Sequence, residues 1–163
     1  MKNLLTKIAL LGLIIAPFAA WSQTVQVTGE VNTPLSLDGT TLHQFKQVTV
    51  TRKDKDGKTD HTYTGVILSD ILKKAGVPME DALKGRNLTK CVLVNAADNY
   101  EVAFALAELD KNYTDRMIIL ADTVDGHPLP QGEGPFRIIV QAEKKPARCV
   151  RQVVGLKVMS LKP

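Results

Sequence analysis

Residues 125–161 read DGHPLPQGEGPFRIIVQAEKKPARCVRQVVGLKVMSL. Asp125-Gly126 is a turn pair, and the Pro- and Gly-rich stretch 128–135 predicts a long irregular connection. Residues 136–141 are apolar enough for a buried strand, and residues 153–161 predict a final one. Between them lies a loop with Lys144, Lys145, Arg148 and Arg151 around Pro146. Two strands joined by a polar loop, with no helical period between them, exclude a βαβ crossover here.

Upstream segments extend the pattern. Residues 25–31 (VQVTGEV) alternate as a half-buried strand, ended by Pro34. Asp38-Gly39 makes a turn, and Thr40 or Thr41 is placed to cap a short helix over 42–45. Strands at 48–51 and 61–64 flank the charged turn KDKDGK at 53–58, which reads as a hairpin. Leu68, Ile71, Leu72 and Ala75 share one helical face, Lys73 and Lys74 sit near its C-terminal end, and Gly76 stops the helix. Residues 79–85 predict a weaker helical turn. Residues 90–94 and 100–104 predict strands about an Asp98-Asn99 turn, 106–109 a short helix, and 117–120 a strand. Arg137 alternates outward from Ile138 and Val140 and reads as a surface residue, with site contact as the lesser alternative. The fold class is α+β, with mixed, mostly antiparallel sheets and a few short helices.

The N-terminal residues predict a targeting segment. Residues 1–7 carry two lysines and no acid, and 8–20 are apolar apart from Gly12 and Pro17, a run too short to span a bilayer comfortably. Ala20-Trp21-Ser22 places small residues where a signal peptidase reads, so residues 1–22 are expected to be a signal peptide cleaved after Ser22. The product, residues 23–163, has 141 residues and the size of one domain. It is expected in the periplasm or outside the cell, not spanning a membrane. Loss of Lys2 and Lys7 lowers the basic count from 21 to 19 against 17 acids. That mild charge and few aromatic residues give no footing for nucleic-acid binding.

Cys91 and Cys149 are the only thiols, and the expected oxidising compartment makes a disulfide between them possible. Both also sit among apolar residues, which equally fits buried free thiols. His43, His61 and His127 show no metal-ligand spacing, and no nucleophile-elbow or phosphate-loop motif is present.

Several segments resemble, in order, the molybdopterin-binding domain of the sulfite oxidase family. Residues 63–76 (YTGVILSDILKKAG) resemble its G-V-x-L-x-D-x-L-x-x-A-G segment. Ala97-Asp98-Asn99-Tyr100 with Phe104-Ala105-Leu106 resembles its D-G-Y…S-L hairpin. Residues 118–121 with 125–130 resemble L-L-A-Y…N-G-x-P-L-P, and 134–140 resemble G-P-x-R-x-V-V. Ala147-Arg148-Cys149-Val150-Arg151 resembles the S-V-K-W loop. The likeness covers about residues 48–161 and is nearest to short, exported, single-domain members.

The resemblance implies a pterin held through its phosphate and ring nitrogens. A buried phosphate needs fixed cations, and arginine offers bidentate geometry. Arg148 and Arg151 are the expected anion contacts, with Lys144, Lys145 and His61 as further cofactor-binding candidates. Tyr100 is a weak catalytic candidate, since a phenol there could donate to an oxyanion. The resemblance places the family's metal-ligating cysteine at about 50–60, where this chain reads VTRKDKDGKTD with no thiol. No molybdenum ligand is identified from sequence, and a soft donor is what that metal requires. Three functions follow: a module binding a pterin or other small anion, an active molybdopterin-dependent oxidoreductase with an altered ligand set, or a partner of a periplasmic redox or sensor protein.

Overall fold

The computed structural model describes residues 23–53 and 57–161. The expected signal segment and the tip of the charged 53–58 turn therefore lie outside the described residues.

The chain begins with strands β1 (Val25–Gly29) and β2 (Leu35–Leu37), then helix α1 (Gly39–Leu42). Asp38 caps this helix: its carboxylate accepts from Thr41 N–H at 2.8 Å, and the Thr41 hydroxyl accepts from Asp38 N–H at 2.8 Å. The cap is therefore Asp38 rather than Thr40 or Thr41, and the helix lies at Gly39–Leu42 rather than over 42–45, because the Asp38 carboxylate satisfies the first free N–H groups. Next come β3 (Gln47–Lys53), β4 (Asp60–Ile67) and α2 (Leu68–Lys74). Gly76, at φ +80°, ends α2, and Leu68, Ile71 and Leu72 are fully buried on the face the sequence period assigns.

A 3₁₀ turn over Glu80–Ala82 and another over Gly85–Thr89 lead to β5 (Lys90–Ala96), β6 (Glu101–Ala105) and α3 (Leu106–Leu109). Strands β7 (Ile118–Val124), β8 (His127–Pro128), β9 (Arg137–Val140) and β10 (Val153–Ser160) complete the order. One sheet runs β2-β1-β10-β5-β6; the other runs β3-β4-β7-β8, with β9 also paired to β7. The β1–β10 pair is parallel and the other pairs are antiparallel.

The main core fills the space between the sheets, with Val27, Val92, Phe104, Leu156, Val66, Leu120, Ile138 and Val140 among its members. A second cluster covers the other face of the second sheet: Val50, Tyr63, Ile119, Ala121, Leu129 and Ile139. Every residue of β9 is therefore buried. This overturns the surface reading of Arg137. Its side chain does point opposite Ile138 and Val140, but that face is covered rather than solvated, and Arg137 is only 6% exposed.

Cys91 and Cys149 are both buried free thiols, so the possible disulfide is not formed. Cys91 is fixed in β5, an interior strand, opposite Ala105 and Met159, and burial pushes its pKa up. Cys149 ends the 3₁₀ turn over Pro146–Arg148, which follows β9. Among the described residues, no helix is long and apolar enough to cross a membrane.

Candidate functional site

The connection from β9 to β10 folds back on β9. Ile138 N–H donates to Val150 C=O at 2.8 Å, and Val153 N–H to Phe136 C=O at 2.9 Å. Gln152 joins three segments through its backbone. Its N–H donates to Glu133 C=O at 2.9 Å, and its C=O accepts from Ala97 N–H at 3.0 Å. The loop before β9, the β5–β6 turn and the basic loop thus meet at one residue.

These segments wall a cavity of about 560 Å³, lined by Asp98, Tyr100, Arg137, Lys145, Cys149 and Arg151 with neighbouring backbone. That volume is in the range of small-molecule sites. Tyr100 hydroxyl donates to Ala147 C=O at 3.0 Å, tying the β5–β6 turn to the basic loop. Asp98 accepts from Tyr100 N–H at 3.0 Å and shapes that turn.

Arg137 is the deepest cation. Its guanidinium lies 5.4 Å from the centre of the Tyr63 ring, and its Nη1 donates to Tyr63 hydroxyl at 3.3 Å. The same Nη1 is 2.5 Å from Glu133 Oε2, while Arg137 Nε is buried with no partner. Arg151 Nη2 sits 3.1 Å from Glu133 Oε1. One carboxylate therefore spans two arginines, one buried and one half-exposed.

The residues singled out from sequence separate into two groups. Lys145, Arg151, Tyr100 and Cys149 line the cavity. Lys144, Arg148 and His61 do not. Arg148 is engaged elsewhere: Nη1 meets Glu108 and Nη2 meets Glu143, each at 2.7 Å, and its guanidinium lies 5.1 Å from the centre of the Phe104 ring. These carboxylates raise its pKa, Glu108 most. His61 sits on β4, with Nδ1 2.7 Å from Asp125 Oδ2. Arg52, opposite His61 in the β3–β4 register, donates to Val140 C=O at 3.2 Å.

Arg137, Glu133 and the position of Cys149 are what the sequence reading missed. A signal existed for the first two: a glutamate four residues before an arginine, across a Gly-Pro step. The cavity side of Cys149 had none, because a thiol beside valine reads as core.

The donor set fits the phosphate end of a pterin cofactor. Arg137, Lys145 and Arg151 face one cavity, and a buried N–H of Arg137 lacks an acceptor. For the metal end, the cavity offers one sulfur, Cys149. Among the described residues, no cluster of three or more His, Cys, Asp or Glu is placed to hold a metal ion.

No curated protein matches the chain in sequence. Among solved structures it is similar to the sulfane dehydrogenase SoxCD from Paracoccus pantotrophus, with a TM-score of 0.61 and 18% identity. The superposition covers 86% of this chain but only 39% of that one, so the likeness is one of fold within a longer protein. Residues 15–162 match the family described as oxidoreductase molybdopterin binding domain. With that match spanning nearly the whole sequence, the chain belongs to the oxidoreductase molybdopterin binding domain family.

Proposed function

We propose that this protein is an exported, single-domain module that binds a pterin cofactor, or another small phosphate-bearing anion, in the cavity beside Arg137. The observation that carries this reading is the convergence of Arg137, Lys145 and Arg151 on one cavity, with a buried Arg137 N–H awaiting an acceptor. A guanidinium in a partly dry site offers charge-assisted hydrogen bonds that a neutral ligand would leave unmade. In this reading Arg137 and Arg151 hold phosphate oxygens, Lys145 adds charge, and Tyr100 steadies the basic loop through Ala147.

Segment 50–60, where the family's metal-ligating thiol is expected, contains no cysteine. We infer that the usual tether for molybdenum is missing, which favours binding over oxidoreductase chemistry. The fold alone does not license a reaction. Export is supported by Lys2 and Lys7, the apolar run at 8–20 and Ala20-Trp21-Ser22.

One observation favours a second reading, an oxidoreductase with an altered ligand set. Cys149 lines the same cavity as Tyr100 and the arginines, so a soft donor is available from the basic loop. A molybdenum pterin, when bound, would supply the redox chemistry; the chain's own part would be to hold the phosphate, orient the ring and present one sulfur.

The test is to express the whole sequence in a host that makes molybdenum cofactor, purify it from the periplasm, and assay pterin and molybdenum. Pterin without metal supports the module. Stoichiometric metal that is lost in Cys149→Ser, while pterin is retained, supports the second reading. Neither pterin nor metal, together with no binding of pyrophosphate, defeats both.

A further inference from the structure

The pair of arginines in the cavity is already occupied by part of the protein itself. Glu133 contacts Arg137 through Oε2 and Arg151 through Oε1. Its side chain is only 23% exposed, so this is a sheltered contact rather than a transient surface pair. The backbone holds the residue in place from both sides. Glu133 N–H donates to Pro130 C=O at 3.0 Å, and Glu133 C=O accepts from Gln152 N–H.

A carboxylate placed in this way competes with any incoming anion for the same N–H groups. Being attached to the chain, it competes at a high effective concentration. It also changes the local charge: three cations, Arg137, Lys145 and Arg151, face two carboxylates, Asp98 and Glu133, leaving one net positive charge. A singly charged carboxylate ligand gains nothing by replacing Glu133, since it exchanges one carboxylate for another and must also be ordered. A multiply charged phosphate ester has enough oxygens to meet both arginines at once.

We propose that Glu133 is a resident carboxylate seated on Arg137 and Arg151, displaced by phosphate-bearing ligands, and that this exchange makes the site select multiply charged phosphates over simple carboxylates. The inference rests on the binding reading of this cavity and adds what the site rejects and how. Glutamine in place of Glu133 keeps the shape but removes the charge, so the competitor is weakened while the loop is preserved.

Inorganic pyrophosphate and acetate serve as probes, with binding to the purified protein measured by calorimetry. The wild type is expected to bind pyrophosphate and to show no measurable acetate binding. Glu133→Gln is expected to bind pyrophosphate about tenfold more tightly and to gain measurable acetate binding. Pyrophosphate affinity that is unchanged or weaker in Glu133→Gln, while wild-type binding depends on Arg151, overturns the inference and leaves the cavity reading intact; Glu133 would then assemble the arginines. No pyrophosphate binding in either protein overturns both. A crystal structure of the wild type with pyrophosphate gives an independent readout should the variant fold poorly. Glu133 turned away from both arginines supports displacement, and Glu133 still spanning them with pyrophosphate bound overturns it.

Discussion

The phenol of Tyr100 donates a 3.0 Å hydrogen bond to the carbonyl of Ala147, 47 positions later in the chain. This contact joins the turn between β5 and β6 to the basic loop between β9 and β10, and both residues line the candidate cavity. Tyr100 is 47% exposed, so water competes for the bond and its net contribution is at the low end, about 0.5 kcal/mol. Tyr100→Phe is expected to lower the melting temperature by less than about 3 °C, and amide exchange should speed up at 145–149 relative to β9. Equal exchange in variant and wild type would show that Tyr100 does not restrain the loop.

Arg148 and Arg151 lie three residues apart and have different jobs. Arg148 is tied to Glu108 and Glu143 and packs over Phe104, so it clamps α3 to the basic loop. Arg148→Ala should cost about 1–2 kcal/mol, a figure reduced for partial exposure. Pyrophosphate affinity should change little. Arg151→Ala should cost less than about 0.5 kcal/mol and weaken pyrophosphate binding at least about tenfold. Urea unfolding with calorimetry separates the two, and the opposite pattern would move the anion site to Arg148.

Gly65 is required by backbone packing. A Cβ built there would lie 2.1 Å from Leu120 C=O and 2.5 Å from Ala121 Cα, at the register shift between β4 and β7. Neither neighbour can yield without breaking the strand pair. Gly65→Ala is expected to destabilise by more than about 3 kcal/mol, measured by urea unfolding. Wild-type stability in this variant would mean that β4 and β7 approach less closely than described.

Acid should weaken the link between β4 and the β7–β8 turn. Asp125 accepts from His61 and from Thr62 N–H, and these contacts, the His61 bond foremost, hold its carboxyl below the ordinary range. A folded-state pKa below the unfolded value means the stabilisation is present above about pH 4, the ordinary range for aspartate, and is lost as pH falls further. Asp125→Asn should therefore flatten the fall of melting temperature below pH 4. An unchanged acid limb would show that other carboxylates, such as Glu30 beside Lys90, carry it.

The thiols give a direct check on the core. Cys91 and Cys149 are 5% and 4% exposed and unbonded. An aromatic disulfide reagent should titrate about none in the native protein and both after unfolding without reductant. Protein recovered from the periplasm should also begin at Gln23, as N-terminal sequencing would show. A disulfide, or an N-terminus at Met1, would contradict these two expectations separately.

Alternation and punctuation determined the longer strands, α2 and its Gly76 stop, and the α+β class, but not the short strands β2 and β8, because periods of two and of about 3.6 are local consequences of burying one face and show only over several residues. The ordered segments from 63 to 151 also carried the family likeness, which the match over residues 15–162 confirms. Pairing partners lay beyond local reading: the parallel seating of β1 on β10 and the place of β9 beside β7 join residues far apart in sequence. The site was divided in the same way. Four basic residues were legible, but which of them face the cavity was decided by the backbone of Gln152 and by Glu108 and Glu143 claiming Arg148. Arg137 could be assigned to a face of β9 from its spacing. Only the second cluster of apolar residues, packed over that face, turned it from a surface cation into a buried one.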